Sequence, residues 1–240
     1  MAPQVQAEAA ARQVLAGKPG QAARRTLAIV AVACAALFLA DSLLVATHPL
    51  LFFDVPVEHA VQTFPWGPLA AVMTVTNSIA GAKQMIAGLL AIGGLLLVDR
   101  RSGMLMALGS LGSFLDEVVK DVFARHRPDT NLVHVLNPVT GYSYPSGHAV
   151  FFTWLSFMMA AGLAPRVPRT WRIPLWSAAA FLALVACTGR VWAGAHWPSD
   201  VMGGFLMALG WSAFVLWIPE RWLPSPSGLG IRRRRRAAGS

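Results

Sequence analysis

Three short polar clusters in the second half of the chain carry residues suited to acid–base and nucleophilic chemistry. They read KDVFARHRP at 120–128, YPSGH at 144–148 and GRVWAGAHWPSD at 189–200. In the third, His196 precedes Asp200 by four residues, so on a helix opening at Trp197-Pro198 the two share a face. An aspartate that accepts from one imidazole nitrogen sets the tautomer and leaves the other nitrogen free to attack. His148 can serve as the acid for a leaving group, so one side-chain type supplies two roles. Lys120 and Arg127 lie seven residues apart, about two helical turns, and share a face if the helix continues to Pro128. Arg190 adds a third cation. Arginine's planar fork matches phosphate oxygens, and lysine acts as a flexible point charge. Ser146 and Gly147 sit where a helix begins. There a hydroxyl can cap, and exposed N–H groups with the positive helix end can meet an oxyanion.

These residues fit an anionic ligand, and phosphate in particular. Zinc is the rival use of two histidines and an aspartate, but the surrounding cations repel a dication and no HExxH spacing occurs. Arg125 reads as an interfacial side chain with its charge turned to water. His126 and His134 have no partner at helical spacing and receive no role.

The elements that must position these groups are apolar. Only 13% of the 240 residues are charged and 55% are hydrophobic, with mean hydropathy +0.53, which argues for a membrane protein. The net charge of +9 falls in short groups between apolar runs, the pattern of membrane topology rather than of nucleic-acid binding. Cys34 and Cys187 sit inside apolar runs and read as two buried thiols. Residues 1–21 read as a short helix or a tail, and the late, long apolar run after them does not resemble a cleaved signal.

Spans of about 20 residues cover a hydrocarbon core. Six are predicted: 26–46, 84–98, 103–119, 148–164, 173–188 and 199–217. Residues 67–82 read as an interfacial helix or as the first part of a long bent one. The predicted class is therefore all-α, a polytopic bundle of six transmembrane helices with an extra interfacial helix as an option. Its domain spans 26–220, between a tail at 1–25 and a basic tail at 221–240. With the N-terminus in the cytoplasm, 15 of the 20 basic residues fall on the cytoplasmic side. Both termini then lie in the cytoplasm, and all three clusters share the outer face.

The motifs resemble the type 2 phosphatidic acid phosphatase (PAP2) superfamily, whose active site is related to that of vanadium haloperoxidases. Its pattern of KxxxxxxRP, PSGH and SRxxxxxHxxxD appears here as Lys120…Arg127-Pro128, 145–148, and Gly189-Arg190…His196…Asp200. Gly189 stands where the family usually has serine. The resemblance implies that His196 attacks phosphorus to give a phosphohistidine, oriented by Asp200. His148 would protonate the leaving oxygen and then activate water. Lys120, Arg127, Ser146, Gly147 and Arg190 would bind the phosphate oxygens. It implies no cofactor and no metal, a bacterial inner (plasma) membrane, and a lipid phosphate as substrate. Polyprenyl (undecaprenyl) diphosphate, phosphatidylglycerol phosphate and phosphatidate all qualify. The rival readings are a phosphotransferase with the same intermediate, a vanadate-type peroxidase, and a non-catalytic membrane transporter. Nucleic acid is not an expected partner, and the oligomeric state is not legible.

Overall fold

The computed structural model describes residues 19–136 and 138–219. The expected basic tail at 221–240, and residues 1–18 of the expected N-terminal tail, lie outside them. Eight α-helices occur among the described residues: α1 Pro19–Thr47, α2 Asp54–Thr63, α3 Pro68–Ser78, α4 Ala82–Val98, α5 Arg100–Phe123, α6 Gly147–Leu163, α7 Arg169–Trp192 and α8 Pro198–Trp217. A 3₁₀ turn, Ala164–Arg166, follows α6. Prolines at the starts of α3 and α8 occupy positions where a missing N–H costs nothing. Asp99 caps α5 by accepting from the Ser102 N–H at 2.8 Å.

Helix α6 lies at the centre, packed by α5, α7 and α8. Its Val150, Phe151, Trp154 and Met158 meet Met106 of α5 and Ala208 and Val215 of α8 in the main core. The Trp154 indole, which could not stay unpaired there, donates to Ser113 Oγ at 2.8 Å. Helix α1 runs along α8 at the periphery. Ile29, Val32 and Leu43 on α1, Leu90 and Leu97 on α4, and Ile173 on α7 are exposed. In water such apolar surface would be costly; against lipid it is not.

Four of the described helices, α1, α6, α7 and α8, are long and apolar enough to cross a membrane, and α3 with α4 makes a fifth candidate if counted together. The six-span expectation is not reached on these grounds, because α5 carries Asp116, Glu117, Lys120 and Asp121 on its last turns. Residues 67–98 form two separate helices rather than one continuous bent one. The chain turns through 91° between α3 and α4, where Gly81 takes φ +54°, a left-handed value that a side chain would strain. Helix α3 packs on α7 instead.

Helix α2 braces the loop between α5 and α6. Its His59 ring lies 2.7 Å from Leu132 O, and Gln62 exchanges two hydrogen bonds with the His134 backbone. One face of α2 buries Glu58, neither of whose carboxyl oxygens has a hydrogen-bond partner among the described residues. Burial first, then the nearby Asp200 and Asp54, pushes this carboxyl up from 4.5 to about 8. A folded value above the unfolded one means the contribution to stability is complete below 4.5 and is lost as pH rises through about 8. Glu58→Gln should therefore flatten the fall in melting temperature across that window, as thermal unfolding at a series of pH values would show.

Candidate active site

The three clusters converge on one cavity of about 630 Å³, walled in part by Lys120, Arg127, Gly147, His148, Arg190 and His196. Each arrives on a different element. Lys120 comes from the last turn of α5 and Arg127 from the extended segment after it. Gly147 and His148 open α6, Arg190 sits in the last turn of α7, and His196 lies in the turn joining α7 to α8.

Lys120 and Arg127 do not share a helical face. Ala124 adopts φ +46° and closes α5, its N–H bonding Lys120 O, so the chain is re-aimed before Arg127. The Arg127 guanidinium is then fixed by three carbonyls: Gly141 at 3.0 Å, Tyr142 at 3.0 Å and Ala195 at 2.7 Å. Burial holds its pKa below the ordinary value. The Lys120 ammonium pairs with Asp116 at 2.6 Å and Glu117 at 2.8 Å. Gly147 makes room for this pair, since a Cβ there would fall 2.7 Å from Asp116 Oδ2 and 2.9 Å from Lys120 Nζ.

His196 is buried, and both ring nitrogens are accounted for. Nδ1 donates to Ser143 O at 2.8 Å, which leaves Nε2 as the lone-pair nitrogen, 3.0 Å from Arg127 Nη1. Burial first, then Arg190, Arg127 and Lys120, holds the imidazole pKa well below 6.5. The ring is therefore neutral at pH 7, the form that can attack.

Asp200 does not accept directly from His196. Its Oδ2 stands 3.7 Å from Nδ1, because that oxygen is spent on the Trp197 N–H at 2.8 Å, at the start of α8, and on the Ser143 hydroxyl. Ser143 links the two, touching the imidazole through its carbonyl and Asp200 through its hydroxyl. Nothing in its spacing marked it, because the link runs through a loop and a backbone oxygen.

Arg125 is also placed differently from the interfacial reading. It is buried, and its guanidinium joins Asp54 at 2.7 Å and Asp200 at 2.5 Å, the reverse of a charge turned to water. The acids that draw it inward lie 71 and 75 residues away in sequence, out of reach of any local pattern. Ser146 precedes α6 but makes no side-chain cap. Its hydroxyl is buried without a hydrogen-bond partner among the described residues and does not contribute to the cavity wall, while its N–H donates to Asp200 O at 2.9 Å. Gly147 and His148 do line the cavity, and His148 Nε2 has no hydrogen-bond partner among the described residues. Tyr144 is buried rather than facing the cavity; its hydroxyl donates to Asp41 at 3.0 Å and pairs with Ser42, fastening the loop to α1.

Asn77 of α3 is a further polar group of the site that spacing did not single out. Its side chain accepts from Arg190 Nη1 at 3.0 Å and donates to Gly189 O at 2.9 Å, holding the third cation in place. The same contact explains Gly189. A Cβ there would lie 3.2 Å from Met73 Cβ and 3.4 Å from Asn77 Nδ2, so a serine would need α3 to give by a few tenths of an ångström. Gly189→Ser should lower stability by ~1 kcal/mol, the order of a tight-packing penalty, measured as a lower melting temperature. Among the described residues, no three His, Cys, Asp or Glu side chains are grouped to hold a metal ion.

Comparison with known proteins points the same way. Residues 102–224, half of the chain, match the family model described as the PAP2 superfamily. An undecaprenyl-diphosphatase of Sulfolobus acidocaldarius is 36% identical over 104 residues, covering 42% of this chain and 46% of that protein. A phosphatidylglycerophosphatase B of Bacillus subtilis (strain 168) is 28% identical over 151 residues, covering 60% of this chain and 71% of that protein. The matched part thus spans under half the length of the first relative. The crystal structure of a transmembrane PAP2-type phosphatidylglycerolphosphate phosphatase from Bacillus subtilis shares the fold, with TM-score 0.67 at 23% identity over 78% of this chain and 94% of that one. With apolar helices fit to span a bilayer and the three motifs gathered at one cavity, the chain is an integral membrane protein that belongs to the PAP2 superfamily.

Proposed function

We propose that the protein is a membrane phosphatase that hydrolyses the phosphomonoester or diphosphate of a lipid through a phosphohistidine on His196. The observation that carries this is the placing of the His196 imidazole, with Nδ1 tied to Ser143 O and Nε2 directed toward Arg127 in a cavity with three cations. Nε2 attacks phosphorus as the phosphorus–oxygen bond to the lipid breaks, and His148 gives the leaving oxygen its proton. His148 then takes a proton from water, the resulting hydroxide displaces the imidazole, and inorganic phosphate leaves. Lys120, Arg127, Arg190 and the Gly147 N–H stabilise the equatorial oxygens, with Arg127 exchanging its contact on Nε2 for one on the phosphate. Asp200 contributes through Ser143 and by charging the site. No cofactor or metal takes part.

Helix α5 serves as the sixth span, its charged end facing the cavity rather than lipid. The domain is residues 26–220. Both termini lie in the cytoplasm, and the cavity opens on the outer face of a bacterial plasma membrane. There the lipid tail stays in hydrocarbon while its head group reaches the cations. Undecaprenyl diphosphate and phosphatidylglycerol phosphate, the substrates in the names of the two relatives, lead the candidates, with phosphatidate beside them.

Detergent-purified protein assayed in EDTA against these three lipids should release inorganic phosphate from at least one. Phosphate passing instead to an alcohol acceptor would make it a phosphotransferase. No turnover of any lipid phosphate would overturn the reading.

A further inference from the structure

The groups that hold His196 in place are themselves held by one residue, Arg125. The imidazole Nδ1 is fixed by Ser143 O. Ser143 is in turn held at two points: its N–H donates to Arg125 O at 2.8 Å, and its hydroxyl donates to Asp200. Asp200 receives Arg125 Nη1 on its other oxygen at 2.5 Å. Both supports of Ser143 therefore lead to Arg125, one through its backbone and one through its side chain.

The guanidinium is located from the far side by Asp54, the first residue of α2. Asp54 Oδ2 accepts Arg125 Nη2 at 2.7 Å, and Oδ1 accepts the N–H of Ser199 at 3.0 Å and its hydroxyl at 2.7 Å. Ser199 also accepts from Arg125 Nη1 at 2.7 Å and is the neighbour of Asp200. Arg125 Nε donates to Pro49 O at 3.0 Å, and the Asp54 carboxylate is anchored by the Leu51 N–H at 3.0 Å. Asp54, Asp200 and Ser199 are fully buried and Arg125 is 5% exposed, so water does not compete for these contacts. Asp54 also lies outside residues 102–224, the segment shared with the family model.

We propose that Asp54 and Arg125 are positioning residues for the nucleophile, setting the place of His196 Nε2 through Asp200 and Ser143. This rests on the phosphohistidine reading. Neither side chain lines the cavity, so substrate affinity should not depend on them. The rate of attack should, because a displacement of ~1 Å at a reacting atom can cost about 100-fold.

The test is Asp54→Asn in the full-length protein, with Arg125→Lys as a second variant that keeps the buried positive charge but cannot fork between two carboxylates. Monodispersity and melting temperature establish that the protein assayed is folded. The lipid phosphate turned over by the wild type is the substrate, and phosphate release and alkali-quenched phosphoenzyme are followed together. The expected result is a kcat lowered by roughly 10- to 100-fold with KM within about 2-fold, and slower phosphoenzyme formation by the same factor as kcat. A folded variant with kcat within about 2-fold of wild type, or with its whole loss in KM, overturns the proposal. Wild type that turns over lipid without a phosphoenzyme would instead refute the phosphohistidine step, which separates the two failures.

Discussion

His196→Ala is expected to lower lipid-phosphate hydrolysis by at least ~1,000-fold while leaving the protein folded. The imidazole has one nitrogen tied off to the Ser143 carbonyl and the other presented 3.0 Å from Arg127 Nη1, among the cations. Alanine removes the attacking atom and leaves Lys120, Arg127 and Arg190, which can still bind phosphate oxygens. Substrate affinity should accordingly change far less than kcat. Phosphate release under EDTA, together with equilibrium binding of the lipid to both proteins, separates the two quantities. A variant that retained half the wild-type rate would place the nucleophile elsewhere.

Arg125→Ala is expected to be the most destabilising single change at the site, by about 3–5 kcal/mol, and to leave little folded protein. Asp54 and Asp200 are both fully buried and share this one guanidinium, so its removal strands two carboxylates where water cannot reach them. The loss is one of uncompensated charge rather than of packing. Combining Arg125→Met with Asp54→Asn, which removes one of those charges, should recover part of the lost melting temperature. If Arg125→Met alone unfolds no more easily than wild type, the ion pairs carry no weight in the fold.

The all-helical membrane class was legible because lipid demands apolar runs of about 20 residues, and these survive any detail of packing. The 91° turn at Gly81 was legible only as one of two options, because 67–82 reads equally as an interfacial helix and as the first part of a long bent one, and the packing of α3 on α7 sets its direction. The same division runs through the site. Lys120, Arg127, Gly147, His148, Arg190 and His196 announced themselves by type and spacing, and the structure gathers them at one cavity. Ser143, Arg125, Asp54 and Asn77 did not. Each acts through a partner more than 50 residues distant or through a backbone atom, and neither leaves a periodic trace. Asp200 was legible as a residue but not in its geometry. The start of α8 claims one of its oxygens, so it reaches the imidazole through Ser143. Gly189 reverses the case, since its departure from the family's serine was visible at once but its cause, the close approach of α3, was not.

The phosphohistidine on His196 is the step on which the proposed hydrolysis depends, and it can be trapped directly. Detergent-purified protein is mixed in EDTA with a lipid carrying a radiolabelled phosphate, quenched within the first turnover, and digested for mass spectrometry. The expected result is a phosphoryl group that is labile to acid and stable to alkali, located on His196, and decaying at the rate at which phosphate appears. Phosphate released in the same experiment with no label on the protein, or with label on another residue, would contradict it.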